Sequence, residues 1–116
     1  LAVALILVAC GDQSTDESVL FFQKANFSAR QGEPREAIRL YTEAIEKKPD
    51  FADAYNNRGL THQKLGDLEN AIADFNRALE LEPEYWEAYY NRAQALADGG
   101  RYRESLADLA RLPNTY

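Results

Sequence analysis

The sequence predicts an all-α chain built from stacked helical hairpins, and three observations predict it. From Ser18 onward the same kinds of residue return every 34 positions without a gap: Phe21, Tyr55 and Tyr89; Ala25, Gly59 and Ala93; Gly32, Gly66 and Gly100; Ala37, Ala71 and Ser105; Tyr41, Phe75 and Leu109; Ala44, Ala78 and Leu112; Pro49 and Pro83. A self-similar period of about 20 to 50 residues marks units too small to bury their own apolar faces, which stack to share a core. The chain of 116 residues holds 18 alanines against seven β-branched residues after position 17, and Ala gives up no side-chain entropy in a helix where Val, Ile and Thr do. Within each period, apolar residues three and four apart are interrupted first by Gly and then by Pro, so each unit reads as two helices.

The elements follow in order. Residues 1–9 are wholly apolar, and residues 11–17 are almost wholly polar. As a helix the apolar run rises only about 14 Å, under half of a ~30 Å hydrocarbon core, so it is too short to span a membrane and has the length of a signal-peptide h-region. The order Leu7-Val8-Ala9-Cys10 resembles the lipobox of bacterial lipoprotein signal peptides. That resemblance implies cleavage after Ala9, a diacylglyceryl group on the Cys10 thiol, acylation of the freed amine, and residues 10–17 as lipidated cysteine and polar tether. Gly11 after the cysteine implies sorting to the periplasmic face of the outer membrane of a bacterial cell envelope. The alternative is a core or interface helix that ends in an inert buried thiol. The chain starts with Leu and has no Lys or Arg ahead of the apolar run, so residues 1–9 are expected to be a partial leader.

Residues 18–51, 52–85 and 86–116 form the three repeats. In repeat two, Tyr55, Gly59 and His62 mark a first helix that closes at Gly66, Asp67 can cap a second, Ile72, Phe75 and Leu79 form its stripe, and Pro83 ends it. Repeat one carries the same punctuation at Gly32, Pro34 and Pro49. The columns Ala25, Gly59, Ala93 and Ala37, Ala71 let paired backbones approach closely. This pattern resembles the tetratricopeptide repeat, over residues 18 to 116. Repeats one and two match most signature columns, the exceptions being Lys24 and Arg58, where the family favours Leu, and Ser28 and His62, where it favours Tyr. Repeat three keeps Tyr89 and Ala93 but is degenerate. The resemblance implies three tandem hairpins in a short right-handed α-solenoid. Leu106, Leu109 and Ala110 give the last helix an apolar side that a capping helix beyond the sequence, a second copy or another protein is expected to cover.

Composition narrows the chemistry. Nineteen acidic residues against thirteen basic give a net charge of −6, the wrong sign for a phosphate backbone, so no nucleic-acid partner is expected. One Cys and one His exclude an intramolecular disulfide and a Cys/His zinc site within one copy, and no cofactor is expected. His62 stands in a packing column without a nucleophile or carboxylate pair beside it, so no enzymatic role is expected. In tetratricopeptide arrays the first helices line a concave groove, and that resemblance places Phe22, Asn26, Arg30, Asn56, Asn57, Lys64, Tyr90, Asn91 and Gln94 there as candidate binding residues. Amides both donate and accept and can pair with the main chain of an extended peptide, and Phe22 and Tyr90 offer apolar contact. Asn26 and Asn57 occupy the two asparagine positions of the clamp that holds acidic chaperone tails, but Phe22, Glu87 and Asn91 fill its basic positions, so that clamp is not expected. The expected function is a lipid-anchored adaptor for protein partners in cell-envelope assembly; the alternative is a soluble co-chaperone or regulatory subunit.

Overall fold

The computed structural model describes residues 13–115. The apolar run and Cys10 lie outside the described residues. The order is α1 (Gln13–Arg30), α2 (Pro34–Lys47), α3 (Ala52–Lys64), α4 (Leu68–Leu81), α5 (Trp86–Asp98) and α6 (Tyr102–Ala110), with no strand among the described residues. α1 pairs with α2, α3 with α4 and α5 with α6. Successive hairpins meet through α2 with α3 and α4 with α5, and α1, α3 and α5 touch in turn. The expected all-α solenoid of three hairpins is the fold observed. Among the described residues no helix is long and apolar enough to cross a membrane.

The punctuation works as the sequence implies. Gly32, Gly66 and Gly100 have φ of 76°, 80° and 78°, the left-handed region that costs other residues about 1–2 kcal/mol. At each site the next residue reaches back five positions, for example Asp67 N–H to the His62 carbonyl at 2.9 Å, which closes the helix with a Schellman motif. Pro34 sits in the first turn of α2, and the Asp67 carboxylate accepts from the backbone N–H of Asn70 at the start of α4. The one boundary that differs is the first. α1 begins at Gln13, so residues 13–17 of the expected tether are helical. No Gly or Pro separates them from the repeat, and Glu17 pairs with Lys47 at the end of α2, 3.7 Å away.

Small residues set the spacing of the helices. Ala25, Ala37, Ala44, Ala54, Ala71, Ala78, Ala88 and Ala95 are fully buried, and Tyr41 and Phe75 fill the wider gaps between them. At Gly59 a Cβ would stand 2.8 Å from the Phe75 ring and 3.0 Å from the Ala71 carbonyl oxygen, so only glycine lets α3 and α4 cross this closely. α6 is short, nine residues against the fourteen of α2 and α4. Leu112 lies past its end yet packs against Ala78, Leu79, Ala88 and Tyr89.

Candidate functional site

The concave face is laid down by α1, α3 and α5, and a run of side-chain hydrogen bonds ties them together. Asn91 donates to the Asn56 side-chain oxygen at 3.1 Å, Asn56 to Asn57 at 3.3 Å, and Asn57 to Asn26 at 3.0 Å. The Tyr41 hydroxyl donates to the same Asn26 oxygen, and burial raises the pKa of that phenol. Asn56 is 0% exposed and Asn91 6%. This burial corrects the expectation that these two present free amides to a ligand: both lie beneath the surface and their amides are engaged with neighbouring first helices. A buried amide left unpaired would cost about 1–3 kcal/mol, which is why this layer bonds to itself.

The accessible part of the face is smaller than the sequence suggests. Asn26 and Asn57 are half-buried. Phe22 is half-buried too, its ring 4.8 Å from that of Phe51 and 6.0 Å from that of Tyr41, so it belongs to the hairpin core as much as to the groove. Tyr90 is exposed and its hydroxyl accepts from Gln94 at 3.0 Å. Arg30 and Lys64 are exposed in the last turns of α1 and α3, and Glu87 is exposed in the first turn of α5. At the far end Gln63 donates to Asp98 at 3.2 Å, beside a cleft of about 480 Å³ lined by Gln63, Gln94, Ala97 and Asp98. The first helices thus present exposed Tyr90, Gln94 and Lys64 beside a fixed amide run to which the half-buried Asn26 and Asn57 belong.

The sequence reading missed the strongest polar contacts in the molecule. Arg58 of α3 grips Asp74 of α4 with two hydrogen bonds of 2.9 and 2.8 Å and reaches Thr42 of α2 at 3.1 Å. One repeat later Arg92 grips Asp108 at 2.7 and 2.6 Å and reaches Asn76 of α4 at 2.8 Å. Each guanidinium also lies over an aromatic ring, Tyr55 at 5.5 Å and Tyr89 at 5.3 Å. The carboxylate hydrogen bonds raise both arginine pKa values. All of these residues are 34 positions apart, which is the signal that would have found them: a column read as a mere exception to Leu is a charged lock joining three helices. His62 lies beside this lock, its Nδ1 3.5 Å from Asp67 and its Nε2 3.9 Å from Asp74. It is a boundary residue, as its column predicts.

Three family models match the chain: "Tetratricopeptide repeat" over residues 52–85, "TPR repeat" over 29–66 and "Tetratricopeptide repeat" over 75–107. The first coincides with repeat two as its 34-residue period delimits it. The chain is a tetratricopeptide repeat protein. Solved structures share this tetratricopeptide fold. The first tetratricopeptide domain of Spaghetti (RPAP3), bound to the HSP90 peptide SRMEEVD, is 27% identical with a TM-score of 0.81, the match covering 83% of this chain and 76% of that one. The Arabidopsis OM64 TPR domain is 27% identical with a TM-score of 0.82, covering 84% and 80%. MamA, at 21% identity and a TM-score of 0.79, shares the fold, with 81% of this chain matched to 51% of that protein. Among curated protein sequences none matches the chain.

Proposed function

We propose that this tetratricopeptide protein is an adaptor that holds an extended peptide segment of a protein partner across α1, α3 and α5, and that a lipid on Cys10 fixes it to the membrane of a bacterial cell envelope. The observation that carries the binding role is the concave face itself: exposed Tyr90 and Gln94 stand over an amide floor whose own hydrogen bonds are already made, so the face keeps its shape before a peptide arrives. The similar Spaghetti domain binds a peptide with an acidic end. In this chain Glu87 stands where a cation would be needed for that end, and we assign this groove a different sequence preference. The membrane role rests on Leu7-Val8-Ala9-Cys10. Burial of acyl chains contributes ~0.8 kcal/mol per CH₂, so two or three long chains make attachment effectively permanent where one does not.

Two measurements separate these claims. Tyr90→Ala with Gln94→Ala, both on the exposed side of α5, is expected to abolish partner capture from a membrane extract while leaving the melting temperature unchanged. Capture of every partner at wild-type yield moves the site off the concave face. For the anchor, metabolic acyl labelling and membrane flotation of the wild type against Cys10→Ser should both be lost in the variant; flotation that survives a high-salt wash without label replaces the lipid by another mode of attachment.

A further inference from the structure

Inside the chain the same interface occurs twice: the second helix of one hairpin lies against the next repeat. α2 offers Thr42 to Arg58 of α3, and α4 offers Asn76 to Arg92 of α5, while Ile72 of α4 packs with Ala71, Phe75 and Ala95. In repeat one the equivalent position is an open cleft of about 570 Å³ whose lining includes Leu20, Lys24, Phe27 and Leu40. Leu20 and Phe27 are 48% and 57% exposed, whereas their counterparts 34 and 68 positions on, Ala54, Ala88, Thr61 and Ala95, are all buried. At the other end α6 is a second helix that no further hairpin covers among the described residues. Its Leu106 and Leu109, which correspond to Ile72 and Phe75, are 65% and 39% exposed.

The two ends also change chemistry together. The internal interfaces pair an arginine and an aspartate on one side with a polar acceptor on the other. Repeat one instead has Lys24 and Leu40, and α6 has Ala110 in the column of Thr42 and Asn76. Charge lock and acceptor are lost in concert, so the apolar side chains of the cleft, Leu20, Phe27 and Leu40, face an apolar plug, while Gln23, Lys24 and the Glu36–Arg39 ion pair, already made within α2, also line the cleft. We propose that α6 of a second copy fills the repeat-one cleft, so that hairpin stacking continues head to tail from one molecule to the next. Leu106 of one copy then meets Phe27 of the other, and the Lys24 ammonium lies at the carbonyl end of α6, where a cation is favoured. The contact is heterologous and leaves a free cleft and a free plug at the ends of each assembly, which therefore grows until it closes or is capped. This goes beyond the adaptor reading, since neither the groove nor Cys10 takes part.

The test uses the full chain in detergent with Cys10→Ser, in two versions: one carries Phe27→Cys and the other Leu106→Cys. Both positions are exposed, and far-UV circular dichroism checks that helix content is kept. With a short bismaleimide, a cross-linked pair is expected from the mixture and not from either version alone, and adding Ala110→Arg to the Leu106→Cys version, which sets a like charge against Lys24, should remove it. No pair in the mixture at high micromolar concentration overturns the proposal, whether the residues before Gln13 or some other protein cover the cleft. A pair formed by the Leu106→Cys version alone overturns it in favour of a symmetric contact between last helices.

Discussion

Replacing Arg58 by Leu, the residue the family favours in that column, is expected to destabilise this particular chain. The Asp74 side chain is 8% exposed and that of Arg58 20%, so the variant strands a buried carboxylate beside an uncharged leucine. Breaking a buried pair from one side costs about 3–5 kcal/mol. The partial exposure of Arg58, and His62 Nε2 at 3.9 Å from Asp74, place this case at about 2–3 kcal/mol by the same principle. In a domain of roughly this size each kcal/mol lowers the melting temperature by about 4–8 °C, so a fall of about 8–24 °C is expected. Adding Asp74→Leu removes the stranded charge. Repeat one already holds a buried leucine, Leu40, in that column, and the double variant is therefore expected within about 1 kcal/mol of the wild type, since apolar replacement of a buried pair is often neutral or stabilising. Urea denaturation followed by far-UV circular dichroism reads both. If Arg58→Leu leaves the midpoint unmoved, or the double variant is as weak as the single one, the lock does not hold the hairpins together.

Three further outcomes are expected. Gly59→Ala gains up to about 1 kcal/mol of helix propensity but drives a methyl group into Phe75 and the Ala71 carbonyl, so thermal melting should show a net loss of roughly 1–2 kcal/mol. Tyr41→Phe removes one of the two donors on the Asn26 oxygen and should cost about 0.5–1.5 kcal/mol in urea denaturation. The Asn70 side-chain amide holds the Asp67 pKa below its ordinary value of 3.8. A carboxylate depressed on folding stabilises the fold above that ordinary value and loses its contribution as pH falls through the depressed one, so urea midpoints of Asp67→Asn should fall less steeply than the wild type's below about pH 4.

The hairpins were legible because period and punctuation are local. Gly66, Pro83 and Asp67 dictate backbone geometry wherever they stand, and the alanine columns announce close packing without any partner being known. The concave face was only half legible. Helical spacing puts Asn56 and Asn57 side by side on one face, yet whether an amide looks outward or toward the next helix depends on how far successive hairpins rotate, which no single repeat encodes. Hence Asn56 proved buried while Tyr90 stayed exposed in the same column, 34 residues on. Arg58 and Asp74 were hidden for another reason: comparison with the family treats each column separately, and a lock is a property of two columns that change together. The start of α1 was missed because polar residues such as Gln13 to Glu17 serve equally in a linker or a helix, and only contact with Lys47 decides for Glu17.

The amide run from Asn91 through Asn56 and Asn57 to Asn26 has a sense of direction, every donor handing its proton toward repeat one. Reversing one amide would set two oxygens or two NH₂ groups against each other at its neighbours, so the amides can turn over only as a train. Two links of the run join hairpins, Asn91 to Asn56 at 3.1 Å and Asn57 to Asn26 at 3.0 Å, while Asn56 and Asn57 are neighbours on α3, so flattening the groove must break one of those two bonds between helices and leave a buried amide unpaired.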